Sequence, residues 1–278
     1  MYYKCHNCDY GTTLANMLKN VSPALHKEYR LENYRGGQTG KPNTPQPDFT
    51  FKKPVFRETV GKQISDLPPD HEAIQVLIQR KVPESLWHRF SYAENFYDTV
   101  REINNKTVVG RENRLVIPIY DSEKKVIGLQ GRSINGEIPK YITIKANDYD
   151  DVLIYGKDQK INWAENVHVF EGPIDSLFIP NSLAVLGSNL KLLNEKLSSS
   201  KLVFCFDNEP RNKQIVSKMN EAADLGKRLC IWPDSLKEKD INDMIISGLT
   251  SEKILDMITA NTYEGPSAKL RLSTWRKV

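Results

Sequence analysis

The sequence predicts an α/β protein with a parallel β-sheet in its second half and a smaller antiparallel sheet before it. In the second half, apolar strands alternate with helical segments, a pattern typical of a parallel sheet covered by helices. The strands are at residues 167–170, 183–186, 202–206 and 229–232, and the helical segments at 174–179, 190–197, 215–225 and 251–258. Upstream, short strands follow one another and predict antiparallel pairing. They are at residues 115–120, 126–130 and 141–144.

Size and composition are those of a folded protein with one large domain or two modest ones. The chain has 278 residues, of which 39% are hydrophobic and 27% charged. No stretch is long and apolar enough to cross a bilayer and no signal peptide follows Met1, so we expect a cytoplasmic protein. The formal net charge is +4. Its basic surplus, in the first 114 residues, is compatible with phosphate contacts but is also common among soluble proteins.

The residues before the predicted parallel sheet divide into three segments. Residues 1–20 contain Cys5-x-x-Cys8, which predicts a knuckle followed by a short helix from Leu14. Residues 36–56 are rich in glycine and proline, which predicts an extended linker. Residues 57–160 form a mixed α/β region with helices at 70–80 and from Val82 onward. The parallel-sheet region covers residues 161–278 and ends in a basic tail.

Carboxylates follow three strands of the predicted parallel sheet. Because the carboxyl ends of parallel strands meet at one edge, we expect these side chains to converge there. Clustered carboxylates repel one another unless cations neutralise them, and oxygen ligands are those that Mg²⁺ or Mn²⁺ prefers. For any one of them, the alternative is a helix cap or a solvated loop. The six candidates are Glu171, Asp175, Asp207, Glu209, Asp240 and Asp243.

These acids resemble the toprim domain, which carries a Glu after one strand and Asp-x-Asp after another. Here the pattern reads Glu171-Gly172, Asp207-x-Glu209 and Lys239-Asp240, with Glu209 in place of the second Asp. Upstream, Arg114-Leu-Val-Ile-Pro-Ile-Tyr-Asp, Gly131-Arg132 and Pro139-Lys140-Tyr141 resemble the catalytic core of bacterial-type DNA primases. Further segments, including Glu-Gly-Pro-Ile-Asp-Ser-Leu-Phe and Asn-Asp-Met-Ile, are similar to T-even-type phage primases. The resemblance covers nearly the whole chain.

The resemblance implies synthesis of short RNA primers on single-stranded DNA by two-metal nucleotidyl transfer. Under this hypothesis the Mg²⁺ or Mn²⁺ ligands are Glu171, Asp175, Asp207, Glu209 and Asp240, with Asp243 as a further candidate. Cationic and aromatic side chains would bind the template backbone or the nucleotide phosphates. They are Arg114, Arg132, Lys140 and Tyr141. A solvated strand edge is the alternative for the basic residues.

Partners and a zinc site are also implied by the resemblance. The sequence has no P-loop motif, so a separate hexameric replicative helicase is expected as a partner. The other expected partners are NTPs, a single-stranded DNA template and a single-stranded DNA-binding protein, with no membrane; a phage protein would work in the host cytoplasm. Cys5 and Cys8 resemble the second ligand pair of a primase zinc ribbon, whereas a structural zinc site takes four ligands. Cys205 and Cys230 fall in predicted strands and are expected to be buried.

Other functions can use the same carboxylates. A toprim nuclease would hydrolyse a phosphodiester with water in place of the hydroxyl, although the block from Arg114 to Tyr141 argues against it. A non-catalytic toprim module that binds nucleic acid or protein would lack that block. A tyrosine-dependent topoisomerase would need room for a DNA gate, which 278 residues do not provide. A primase core that is inactive by itself is a further alternative.

Overall fold

The computed structural model describes residues 2–4, 11–35, 59–187, 197 and 201–278. The chain separates into two units, Met1–Val55 and Phe56–Val278. The predicted linker at 36–56 and both Cys5 and Cys8 lie outside the described residues. The predicted helix at 190–197 also lies outside them, apart from its last residue.

The first unit contains a β-hairpin and two helices. Strand β1 (Tyr2–Lys4) pairs antiparallel with β2 (Gly11–Thr13). Helix α1 (Leu14–Val21) follows directly, and the Thr13 hydroxyl accepts a hydrogen bond from the Asn16 N–H at its first turn. Helix α2 (Pro23–Arg35) begins with proline, which lacks the N–H that a first-turn residue would leave unpaired. The short helix predicted after the cysteine pair is confirmed as α1.

An antiparallel sheet forms the first part of the second unit. Its strand order is β3-β4-β5-β6-β7, with every neighbouring pair antiparallel. The strands are β3 (Lys62–Gln63), β4 (Ser91–Ala93), β5 (Arg114–Tyr120), β6 (Val126–Ser133) and β7 (Tyr141–Lys145). The three strands predicted for this region are confirmed as β5, β6 and β7, and so is their antiparallel pairing.

Two α-helices and two 3₁₀-helices accompany this sheet. Helix α3 (Glu72–Gln79) confirms the helix predicted at 70–80, and the His71 ring accepts from the Ala73 N–H at its start. The second predicted helix is a 3₁₀-helix, Glu84–Arg89, after Pro83. A further 3₁₀-helix, Ile64–Asp66, and helix α4 (Phe96–Arg101) complete the set.

The second sheet confirms the predicted parallel arrangement. Its order is β13-β12-β11-β9-β10-β8, with β12, β11, β9 and β10 parallel and the two edge strands antiparallel. The strands are β8 (Leu153–Tyr155), β9 (Val167–Phe170), β10 (Ser182–Leu186), β11 (Leu202–Cys205), β12 (Arg228–Cys230) and β13 (Thr262–Tyr263). Strand β8 precedes residue 161, where the sequence boundary is drawn, and neither edge strand is predicted from the sequence.

Helices cover both faces of the parallel sheet. They are α5 (Pro173–Ser176), α6 (Lys213–Asp224), α7 (Ile241–Ser247), α8 (Ser251–Ala260) and α9 (Gly265–Trp275). The segment that the sequence analysis predicts as a basic tail forms helix α9. Ala268, Leu272 and Trp275 recur at i, i+4 and i+7 and are at most 1% exposed, so the tail packs one helical face into the core.

Alternation along the strands distributes their side chains between three hydrophobic clusters. On β11, Val203 and Cys205 face a cluster that also takes in Ile117 of the antiparallel sheet, whereas Phe204 faces α6 and α9. The third cluster lies on the other face of the antiparallel sheet and contains Phe96 of α4. The two sheets therefore share one core, which fixes their relative positions. Among the described residues, no helix combines the length and apolar character needed to span a bilayer.

Gly131 on β6 lies directly against the Phe96 ring of α4. A methyl group at this position would overlap two ring carbons of Phe96 and come within 3.0 Å of the Arg114 side chain. We expect Gly131→Ala to lower the free energy of unfolding by about 1–3 kcal/mol, because the fully buried ring cannot move away. Thermal or denaturant unfolding measures this loss.

The control repeats this measurement in a chain that already carries Phe96→Leu, which shortens the side chain that the methyl group would meet. Gly131→Ala should cost less stability in that background than in the wild type. An equal cost in both would show that the overlap with Phe96 is not its origin.

Candidate active site and nucleic-acid interface

The parallel strands bring the predicted carboxylates to one edge of the sheet. We call Glu171, Asp175, Asp207, Glu209 and Asp240 the acid rim. Glu171 follows β9, Asp207 and Glu209 follow β11, and Asp240 caps α7 after β12. In the register, Cys205 is paired with both Phe170 and Cys230, so these three strands reach the edge at the same level.

Electrostatic interactions show that the acid rim is crowded. Burial, followed by the charge of Asp240, raises the pKa of Asp175 to about 8. Burial, followed by the charge of Glu171, raises the pKa of Asp207 to about 7, and Asp240 and Glu209 act in the same direction. Each ionised carboxylate therefore makes ionisation of its neighbours more costly.

Hydrogen bonds hold the loops that carry these acids. The Asn208 N–H donates to the Lys239 carbonyl at 2.6 Å, and the Asn208 side chain donates to the carbonyls of Leu236 and Glu238, both at 3.1 Å. These bonds join the segment after β11 to the segment after β12. Asp240 accepts from the Asp243 N–H at 2.7 Å, so Asp243 contributes its backbone to the cap of α7.

Two lysines lie against the acid rim. Lys218 of α6 forms an ion pair with Glu171. The Lys239 ammonium is 3.6 Å from Asp207 Oδ2 and 3.3 Å from Glu209 Oε2. Within the described parts of the chain, no three Asp, Glu, His or Cys side chains are grouped closely enough to hold one metal ion. The rim is thus a set of neighbouring carboxylates interleaved with ammonium groups.

A group of basic and aromatic residues faces this rim. Arg132 of β6 is 6% exposed, donates to the Tyr141 hydroxyl and lies 5.0 Å from the centre of that ring. Burial lowers the pKa of Arg132, and the charge of Asp240 opposes this shift, which places Asp240 within electrostatic reach. Burial and then the charge of Arg132 lower the pKa of Lys140. The structure therefore brings Arg132, Lys140 and Tyr141 together beside the acid rim.

Arg114 is placed differently from its prediction. Its side chain is fully buried, and its Nη2 and Nε donate to Glu112 Oε1 at 2.8 and 3.0 Å. Its Nη1 donates to the Pro139 carbonyl at 3.0 Å. Direct phosphate contact has no support in this geometry, because the guanidinium is closed off from solvent. Arg114 instead anchors the hairpin that carries Lys140.

Sequence reasoning missed two charged residues of the site. Arg80, at the end of α3, acts electrostatically on Arg132, Lys140 and Asp175. Lys218 lies on α6, whose period predicts a helix but does not show which strand end its polar face meets. Cys205 and Cys230 are buried free thiols in adjacent strands, as predicted.

This chain is similar in sequence to known DNA primases. No family model matches it. The DNA primase of Enterobacteria phage T4 is 34% identical over 99% of this chain and 81% of that protein. The DNA primase of Thermotoga maritima is 29% identical, over 56% of this chain and 34% of that protein.

Solved structures show the same fold at low sequence identity. The Aquifex aeolicus primase, comprising zinc-binding and RNA polymerase domains, aligns with a TM-score of 0.58 at 18% identity, over 99% of this chain and 77% of that one. A DNA primase domain from Pseudomonas aeruginosa aligns with a TM-score of 0.57 at 17% identity, over 73% and 76%. The DnaG primase catalytic domain bound to ssDNA aligns with a TM-score of 0.56 at 18% identity, over 76% and 77%. The solved structures show the fold, and the 34% identity to the phage T4 protein over 99% of this chain shows that the chain belongs to the DNA primase family.

Proposed function

We propose that this chain synthesises short RNA primers on a single-stranded DNA template. The observation that carries the proposal is the acid rim facing Arg132, Lys140 and Tyr141 at the edge of the parallel sheet. Carboxylates can hold divalent cations and basic side chains can hold phosphates, which are the two requirements of nucleotidyl transfer. Membership of the primase family supports the same activity, and a structural neighbour is bound to ssDNA.

The acid rim fits Mg²⁺ or Mn²⁺ by the chemistry of its donors, since Mg²⁺ usually takes only one or two carboxylates and completes its shell with water and substrate phosphates. All five side chains offer carboxylate oxygens. Burial and then neighbouring negative charge raise the pKa values of Asp175 and Asp207, and a bound cation would favour their ionised forms. When bound, the cations stabilise charge on the attacking and leaving oxygens. Glu171, Asp175, Asp207, Glu209 and Asp240 are the proposed ligands, and Asp243 remains a further candidate.

The basic group is suited to the phosphates of the nucleotide or template. Arg132 remains 6% exposed beside Lys140 and Tyr141, so its positive charge can attract a phosphate oxygen. The lowered pKa of Lys140 reflects burial and neighbouring cations, both of which a phosphate would compensate. Tyr141, 38% exposed, offers a ring face to a base while its hydroxyl stays with Arg132.

The proposed helicase partner follows from a motif that the sequence lacks. Because there is no P-loop motif, DNA unwinding is assigned to a separate hexameric helicase, with a single-stranded DNA-binding protein on the template. Zinc binding by Cys5 and Cys8 remains a prediction that needs further ligands to complete a four-ligand site.

Asp207→Asn should abolish primer synthesis. The change keeps the shape of the side chain but removes a charge that the proposed cations need, so we expect labelled ribonucleotide incorporation with Mg²⁺ to fall by at least about a hundredfold. Asp224→Asn is the matched control, because Asp224 is 70% exposed and pairs with Lys269 away from the rim. Primer synthesis by Asp207→Asn at the wild-type rate would contradict the proposed role.

The same variant should be more heat-stable than the wild type at alkaline pH. The pKa of Asp207 is about 7 in the folded chain against an ordinary value of 3.8, so the folded state loses stability as pH rises from about 4 to about 7. Asparagine has no such proton to lose. In EDTA we expect a Tm about 2–4 °C above wild type at pH 8, a modest gain since the carboxylate is partly solvated.

Below about pH 4 the carboxyl is protonated in both the folded and unfolded wild type, so the difference in Tm should disappear there. Thermal scans between about pH 3 and pH 8 provide the measurement. A variant that is less stable than wild type at pH 8 would show that the charge of Asp207 does not oppose folding.

Lys218→Gln should strengthen cation binding. The Lys218 ammonium competes for Glu171, so its removal should lower the Mn²⁺ dissociation constant by about two- to tenfold, as measured by calorimetry. Lys213→Gln, an exposed change on the same helix, should leave the constant unchanged. Equal effects from the two substitutions would exclude competition at Glu171.

A further inference from the structure

The end of α3 and the start of α7 are joined by a reciprocal pair of hydrogen bonds. Arg80 Nη1 donates to Asn242 Oδ1 at 2.7 Å, and Asn242 Nδ2 donates to the Arg80 carbonyl at 2.7 Å. We call this pair the Arg80–Asn242 bridge. Asn242 is 1% exposed, and its side-chain amide both donates and accepts a hydrogen bond in the bridge.

Asn242 also contacts the acid rim directly. Its backbone N–H donates to Asp175 Oδ1 at 3.0 Å, and it lies in the first turn of the helix that Asp240 caps. A single buried residue is therefore bonded to a rim carboxylate through its backbone and to Arg80 through its side chain.

Arg80 is within electrostatic reach of both the acid rim and the basic group. Burial and the charge of Asp240 raise the pKa of Asp175, and the charge of Arg80 opposes this shift. On the other side, burial lowers the pKa values of Arg132 and Lys140, and the charge of Arg80 lowers them further. A guanidinium has five N–H donors in a rigid plane, so the bond to Asn242 sets the direction of the whole group. The bridge thus fixes a cation at the boundary where negative and positive side chains meet.

We propose that Asn242 is a positioning residue for nucleotidyl transfer, which holds the Arg80 guanidinium in place between the acid rim and the basic group. The inference rests on the proposed function and adds to it a residue that acts through another side chain. A purely structural alternative exists, in which the bridge only docks α3 against α7. The neighbouring Lys81 allows these two interpretations to be distinguished. Its ammonium donates to the carbonyls of Ile245 and Ile246 at 3.3 and 3.2 Å, so it also docks α3 against α7.

The test compares primer synthesis with stability in matched variants. The variants are Asn242→Ala, Arg80→Met, the two combined, and Lys81→Met as the control for docking. For each we would measure kcat for ribonucleotide incorporation with Mg²⁺, the Kd for single-stranded DNA, and the Tm. Wild-type primer synthesis is measured first, and its absence would refute the proposed function rather than the bridge.

Positioning predicts a specific pattern among these variants. Asn242→Ala and Arg80→Met should each lower kcat by about 10–100-fold, while the template Kd changes less than about twofold. The kcat of the double variant should be no more than about threefold below that of the less active single variant, because both changes remove the same interaction. Lys81→Met should lose Tm but retain kcat within about twofold. Two outcomes would overturn the proposal. One is a fold-loss of kcat in the double variant equal to the product of the losses in the single variants. The other is a loss of kcat in Lys81→Met equal to that in Asn242→Ala.

Asn242→Asp provides the test if the alanine variant does not fold. Aspartate keeps the volume of asparagine and an acceptor for Arg80, so it should keep at least about fivefold more activity than the Arg80→Met chain. Adding Arg80→Met to Asn242→Asp should remove that advantage. An Asn242→Asp chain that folds but is no more active than Arg80→Met would show that holding Arg80 is not the function of this residue.

Discussion

The parallel pairing of β9, β11 and β12 is the constraint on which the site depends. Because the paired residues Phe170, Cys205 and Cys230 lie at one level, the chain after each strand must emerge at the same edge. Carboxylates placed there by the sequence lie close to one another, and burial followed by their mutual repulsion raises the pKa values of Asp175 and Asp207. Lys218, Lys239 and the Asn242 N–H offset part of this cost.

Because the two sheets share one hydrophobic core, the site at that edge has an acidic side and a basic side. Alternate residues of β5 and β11 enter the same cluster, so the antiparallel sheet cannot shift without disturbing the parallel one. Strand β6 and the hairpin that leads into β7 consequently present Arg132, Lys140 and Tyr141 at a fixed position relative to the acid rim. The buried Arg114 supports that hairpin from below through the Pro139 carbonyl.

Polar contacts at the boundary of the two halves refine this arrangement. The core sets the position of whole sheets, whereas directional hydrogen bonds set individual side chains. The Asn208 bonds join two acid-bearing loops, and the Arg80–Asn242 bridge joins the helical part of the first half to α7. The acid-bearing loops and the helix that Asp240 caps are thus held by directional bonds from Asn208, Asn242 and Arg80.

The sequence alone predicted the four parallel strands, three of the antiparallel strands and the acids that follow the parallel strands. Apolar runs at 167–170 and 202–206 and the period of α6 are local signals, because burial on both faces of a strand or on one face of a helix is encoded by neighbouring residues. The acid rim was predictable for the same reason. The two edge strands and α9 were not, since two- and three-residue strands carry too little pattern and the charges of the tail obscure its buried face.

Tertiary structure decided how the side chains are used. Burial turned Arg114 from a predicted phosphate contact into a support, and packing brought Lys218 to Glu171 and Arg80 to Asn242 across 162 positions of sequence. Pairings of this kind depend on the relative positions of whole helices and strands. Hydrophobic packing throughout the core determines those positions. A local pattern records which face of an element is buried, but it does not record which distant residue that face will meet.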